Sequence, residues 1–186
     1  MKIIKPKKVL ILHGWDATSE SCWFAKAKNI FEKKGLEVFV PDLPGAYFPK
    51  KEEWLKVISS YKPDEEWVLV GHSLGGVAIL RFLEDSPHKI NHAVIVASPI
   101  NEMKFGALEN FFTEPFDWKS IKSNAQKIDL IYERDDGVTP LEHGMKIAQK
   151  IDAQLYIQEG DLHCYDINVD FLVNLALGRR QTQNDI

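Results

Sequence analysis

The chain has 186 residues, which suits one domain with a sizeable core. An apolar fraction of 45% and a charged fraction of 27% are those of an ordinary soluble globular protein. With 23 Lys plus Arg against 27 Asp plus Glu, a net charge of −4 and no basic block beyond the Lys-rich start, the composition argues against a nucleic-acid partner.

The first apolar run, Val9–Leu12, lies between Lys8 and His13. Four residues are too few for the core of a secretory signal, and no stretch of the chain approaches the length of a membrane span. The run reads as a buried strand. Five more follow, between Glu37 and Pro41, Glu66 and Gly71, His92 and Ser98, Lys127 and Glu133, and Ala153 and Gln158. Their hydrophobicity is near-continuous rather than alternating, as expected of parallel strands covered on both faces.

Helical patterns alternate with these strands. Ser19 or Ser21 can cap a helix that runs through Lys34 and ends at Gly35. Lys51–Tyr61 is closed by Pro63, Leu74–Glu84 follows the third strand, Leu141–Ile151 follows Pro140, and Tyr165–Leu177 ends at Gly178. Regular alternation predicts a doubly wound, mostly parallel α/β sheet of about six strands with helices on both faces. One domain is expected over 1–178, with a polar, frayed tail over 179–186. The two cysteines, Cys22 and Cys164, are too few for a disulfide framework and have no metal-ligand spacing, so a reducing, cytoplasmic setting is expected.

In such sheets, chemistry gathers at the carboxyl ends of the strands. The third strand ends in Gly71-His72-Ser73-Leu74-Gly75 and leads directly into a helix, which is the G-x-S-x-G nucleophile elbow in its required context. A serine at the tip of that turn adopts a strained backbone, and Gly71 and Gly75 leave room where the chain doubles back. A serine hydroxyl needs a base, and the base needs an acid that fixes its tautomer. In this type of fold the chain order is Ser, acid, His.

Of the six histidines, four follow Ser73. His88 and His92 fall at the wrong end of the sheet, and His143 in the first turn of a helix suits a solvent-exposed role. His163, just after the last strand, is the expected base. The acid should follow the fifth strand, where Asp135 and Asp136 both stand; spacing does not choose between them, and Asp161 is a third candidate close to His163.

This combination resembles the small serine hydrolases related to retinoblastoma-binding protein nine, a family of the α/β-hydrolase superfamily. The similarity runs along almost the whole chain. It includes His13-Gly14, Trp23, the Asp42-Leu43-Pro44 turn, Trp54, the segment from Phe111 through Trp118, and Ile121. The resemblance implies that Asp136 is the acid and His163 the base. Two departures concern loop geometry: Leu162 and Cys164 flank His163 where the family usually has Gly and an aromatic residue, and Gly137 follows the acid where Pro is common.

One oxyanion donor is expected from the Leu74 backbone N–H and the second from the loop after the first strand. The resemblance assigns the second to Trp15. The segment from Pro99 to Trp118 is the one sizeable insertion, so no cap domain is expected. Its Phe105, Phe111, Phe112, Phe116 and Trp118 read either as an aromatic wall for an acyl group or as core packing of a short helix. Cys164 reads as a buried, inert thiol.

The expected activity is cleavage of an ester or related acyl bond in a small molecule through an acyl-enzyme, without metal or organic cofactor, by a monomer. A binding or regulatory role toward a protein partner on the same scaffold is the alternative.

Overall fold

A computed structural model describes residues 4–179. Its six strands are β1 (Lys8–Leu12), β2 (Glu37–Phe39), β3 (Trp67–His72), β4 (Ile90–Val96), β5 (Ala125–Glu133) and β6 (Gln154–Gln158). They form one all-parallel sheet in the order β2-β1-β3-β4-β5-β6. The helices are α1 (Phe24–Lys33), α2 (Lys51–Ser60), α3 (Leu74–Glu84), α4 (Trp118–Ser123), α5 (Leu141–Ile151) and α6 (Val169–Ala176).

Both faces of the sheet are buried, which explains the continuous apolar runs. Leu10, Leu12, Leu69 and Ile95 face a core built with α2, α3, α4 and α5. Their neighbours Val9, Ile11, Val68 and Val94 face a second core against α1 and α6. The chain order reverses between β1 and β3, so their carboxyl ends form a crevice. Among the described residues, no helix is long and apolar enough to cross a membrane.

Two helix starts differ from expectation. Neither Ser19 nor Ser21 caps α1; the left-handed Cys22 (φ 51°) delays the helix to Phe24, with Trp23 at the N-cap and no side-chain bond. Likewise α6 begins at Val169 rather than Tyr165. His163 and Cys164 are both left-handed, and the Asn168 side chain caps the helix by accepting from the Phe171 amide at 3.0 Å. The short α4 has no counterpart in the apolar pattern; Asp117 caps it by accepting from the Ser120 amide at 3.1 Å. Of the expected tail, residues 180–186 lie outside the described residues.

Candidate active site

Ser73 sits between β3 and α3 at φ 52°, ψ −121°, a region that costs a non-glycine residue roughly 1–3 kcal/mol. The conformation is held by its surroundings: the Ser73 amide donates to the Val96 carbonyl at 2.8 Å. A Cβ on Gly71 would stand 2.6 Å from the Gly75 carbonyl carbon, and one on Gly75 would collide with the Leu12 and His13 carbonyls. The first approach closes the elbow on itself, and the second presses it against the end of β1.

Ser73 Oγ lies 2.9 Å from His163 Nε2, and His163 Nδ1 lies 2.8 Å from Asp136 Oδ2. The carboxylate can only accept, so the imidazole carries its hydrogen on Nδ1 and turns the Nε2 lone pair to the serine hydroxyl. The other Asp136 oxygen accepts from the Val138 and Thr139 amides at 2.7 and 2.8 Å. Burial pushes the Asp136 carboxyl up, but the His163 hydrogen bond and charge, with these amides, outweigh it and hold the carboxyl below its usual range. Asp135 and Asp161 are both exposed and make no hydrogen bond to His163, so among the three acids Asp136 is the one that meets it.

Leu74 is the first residue of α3, where an amide has no intrahelical acceptor. Across from it, Gly14 approaches so closely that a Cβ there would lie 2.9 Å from the Ser73 Cβ. His13 fixes this loop. Its Nε2 accepts from the Leu43 amide and its Nδ1–H donates to the Gly14 carbonyl, both at 2.8 Å. Burial lowers the His13 pKa, in keeping with this neutral tautomer. The Gly14–Trp15 peptide plane is thereby set, with the Trp15 N–H directed opposite the held carbonyl.

The serine hydrolase family description matches residues 9–170. The chain belongs to the serine hydrolase family.

Among the relatives of this serine hydrolase, YdeN of Bacillus subtilis is 32% identical over 160 residues, spanning 83% of this chain and 84% of YdeN. The crystal structure of YdeN superposes with a TM-score of 0.85 at 29% identity, covering 92% of this chain and 98% of that one. The serine hydrolase RBBP9 of Rattus norvegicus is 23% identical over 157 residues, spanning 81% of this chain and 83% of RBBP9. Polyneuridine aldehyde esterase of Rauvolfia serpentina is 31% identical over 104 residues, half of this chain and 39% of the esterase. A crystal structure of polyneuridine aldehyde esterase shares the fold, with a TM-score of 0.69 at 18% identity over 94% of this chain and 99% of that one.

Ser73 and His163 open into a cleft of about 310 Å³. The aromatic insertion divides between the two roles considered for it. Phe105 lines the cleft and packs on Trp15 with ring centroids 5.1 Å apart. Phe111 is fully buried, and Phe112, Phe116 and Trp118 pack against the core. A residue that the sequence pattern did not single out organises this segment. The buried Arg81 donates to the carbonyls of Phe111, Glu114 and Pro115 and lies over the Phe116 ring at 3.8 Å.

His143 is not exposed as expected; it is buried and its Nδ1 accepts from the Ile100 amide at 3.0 Å, tying α5 to the start of the insertion. Cys164 is fully buried, and burial together with the Glu133 and Asp136 carboxylates pushes its thiol up, away from reactive thiolate.

Proposed function

We propose that this serine hydrolase is a carboxylesterase that uses Ser73 as nucleophile, His163 as general base and acid, and Asp136 to orient His163. The observation that carries this reading is the continuous hydrogen-bonded line from Asp136 through His163 to Ser73 at the mouth of the cleft.

Ser73 Oγ attacks the ester carbonyl carbon as its proton passes to His163 Nε2. The oxyanion is met by the N–H groups of Leu74 and Trp15. His163 returns the proton to the departing alkoxide, leaving an acyl-Ser73 ester. A water gives its proton to His163 and attacks the acyl carbon; collapse releases the carboxylic acid and restores Ser73.

The cleft supports a neutral, apolar acyl group. Trp15, Met103, Phe105, Leu108, Val138 and Tyr165 supply its apolar lining, and Asp16 is the one Asp, Glu, Lys or Arg among the lining residues. An anionic acyl chain would find no cation there. The esterase name of the Rauvolfia relative favours an ester over an amide.

A fluorophosphonate probe tests the assignment. It should label the wild type and not Ser73→Ala, whose cooperative unfolding should be retained. Equal labelling of both would overturn the assignment. Hydrolysis of neutral p-nitrophenyl esters, absent in Ser73→Ala, would support the substrate class.

A further inference from the structure

The loop that carries His163 is conformationally costly. His163 and Cys164 have φ of 55° and 54°, so two consecutive non-glycine residues are left-handed, and Gly160 before them has φ 151°. Such a pair persists only where the surroundings over-determine it.

The peptide group joining His163 to Cys164 is gripped at both ends. Its carbonyl accepts from His72 Nε2–H at 2.8 Å, and its N–H donates to Glu133 Oε2 at 2.9 Å. One residue on, the Cys164 carbonyl accepts from Trp23 Nε1–H at 2.9 Å. Glu133, the last residue of β5, is 2% exposed, and no Lys or Arg pairs with its carboxylate among the described residues. Its second oxygen accepts from Gln158 Nε2 at 3.1 Å, and its side chain packs so closely on Gly160 that a Cβ there would stand 2.6 Å from Oε1. A buried carboxylate is expensive without partners. Both of Glu133's go to β6 and to the loop that follows it.

We propose that Glu133, acting with His72, is a positioning residue for His163: together they lock the peptide group from which the imidazole is projected toward Ser73. This rests on the reading of His163 as the base. Glu133 touches neither substrate nor the reacting atoms. It sets the direction of the side chain that does, by hydrogen bonding rather than by charge.

The test compares Glu133→Ala with Glu133→Gln. The glutamine oxygen can accept from the Cys164 N–H, and its NH₂ can donate to the Gln158 amide once that amide turns over. Glu133→Ala should lose about 10- to 100-fold in kcat with KM nearly unchanged, the cost of a misplaced reacting group. Glu133→Gln should stay within about threefold of wild type, since a neutral acceptor replaces the carboxylate. Equal impairment of both variants, or an unimpaired Glu133→Ala, would overturn the proposal.

Should Glu133→Ala not fold, His72→Phe removes the grip at the other end of the same peptide group. It should give the same kcat-specific loss, and wild-type kcat there would overturn the proposal. If the wild type itself neither labels nor hydrolyses esters, the reading of His163 as base has failed. Positioning is then read from the ¹⁵N–¹H spectrum of the imidazole. Loss of the Nδ1–H tautomer in Glu133→Ala and its return in Glu133→Gln would support it, and an unchanged spectrum would sink it.

Discussion

The sheet buries two histidine–aspartate pairs of nearly the same length. His163 Nδ1 meets Asp136 Oδ2 at 2.8 Å beyond the carboxyl ends of the strands, and His92 Nε2 meets Asp129 Oδ2 at 2.9 Å between β4 and β5. All four residues are buried. The difference lies at the second ring nitrogen. His163 Nε2 faces a hydroxyl, which can donate to it, whereas His92 Nδ1 faces the Ala176 carbonyl at 3.1 Å, which can only accept. Both nitrogens of His92 thus face oxygens that accept, and neither faces a hydroxyl. Asp129 also takes Lys127 as a partner, while Asp136 takes two backbone amides. On the proposed mechanism, a buried carboxylate beside an imidazole is not enough to make a base; what sets His163 apart is a ring nitrogen aimed at a hydroxyl in a cleft.

Breaking each pair should give opposite signatures. Asp136→Asn keeps the size of the side chain but can present its NH₂ to Nδ1, favouring the tautomer with hydrogen on Nε2. On the proposed mechanism kcat should fall by about 10⁴-fold, with little change in the urea midpoint. Asp129→Asn should leave kcat within about twofold, because the His92 ring it meets has no route to Ser73. Ester turnover and urea unfolding of the two variants, measured side by side, check both halves. A comparable loss of kcat in Asp129→Asn would break the comparison.

The larger part of the fold could be read from the residues. Six apolar runs bounded by turn residues located every strand, and the helices after Ser73 and after Pro140 begin and end where the pattern placed them. Chain order led to His163, and the choice of Asp136 over Asp135 came from resemblance, since an exposed and a buried aspartate look alike in a turn. What was not legible depends on contacts across the fold. The core role of His143 needs Ile100, the delayed starts of α1 and α6 need left-handed residues that no periodicity reports, and Glu133, which accepts from the Cys164 amide, is 30 residues from His163 in sequence. The His92–Asp129 pair was likewise hidden: a histidine at the edge of an apolar run gives no sign that an aspartate in the next strand lies beside it.

The stability half of the comparison predicts a smaller free-energy change. His92→Ala leaves Asp129 with Lys127 alone, while Asp129 Oδ1 is already buried without a partner among the described residues. Removing one member of a buried pair costs about 3–5 kcal/mol, and the retained Lys127 places the expectation near the lower end, about 3 kcal/mol. Urea unfolding at pH 7 measures it. The kcat of the variant should remain that of wild type wherever the protein is folded. An unchanged midpoint would mean that the pair contributes no stability.

A third ring sharpens the comparison with the smallest expected effect. His72 lies against His163, with ring centroids 4.9 Å apart, yet it has neither a carboxylate nor a hydroxyl. Its Nε2–H is committed to the His163 carbonyl, and its Nδ1 is buried with no partner among the described residues. Burial, reinforced by the charge of His163, lowers its pKa from 6.5 to about 3. Because the folded value is depressed, the stability His72 contributes is fully present above pH 6.5 and is lost as pH falls toward the folded value near 3. In that window the unfolded chain takes up a proton that the folded chain refuses. Glutamine at this position can still donate to the His163 carbonyl but does not titrate. Between pH 6.5 and 5, wild type should therefore lose about 2 kcal/mol more than His72→Gln, at 1.36 kcal/mol per pH unit for one proton. Urea unfolding of both proteins across that range reads the difference directly. Parallel pH profiles would mean that His72 accepts its proton in the folded state, where its free nitrogen would have to find a partner.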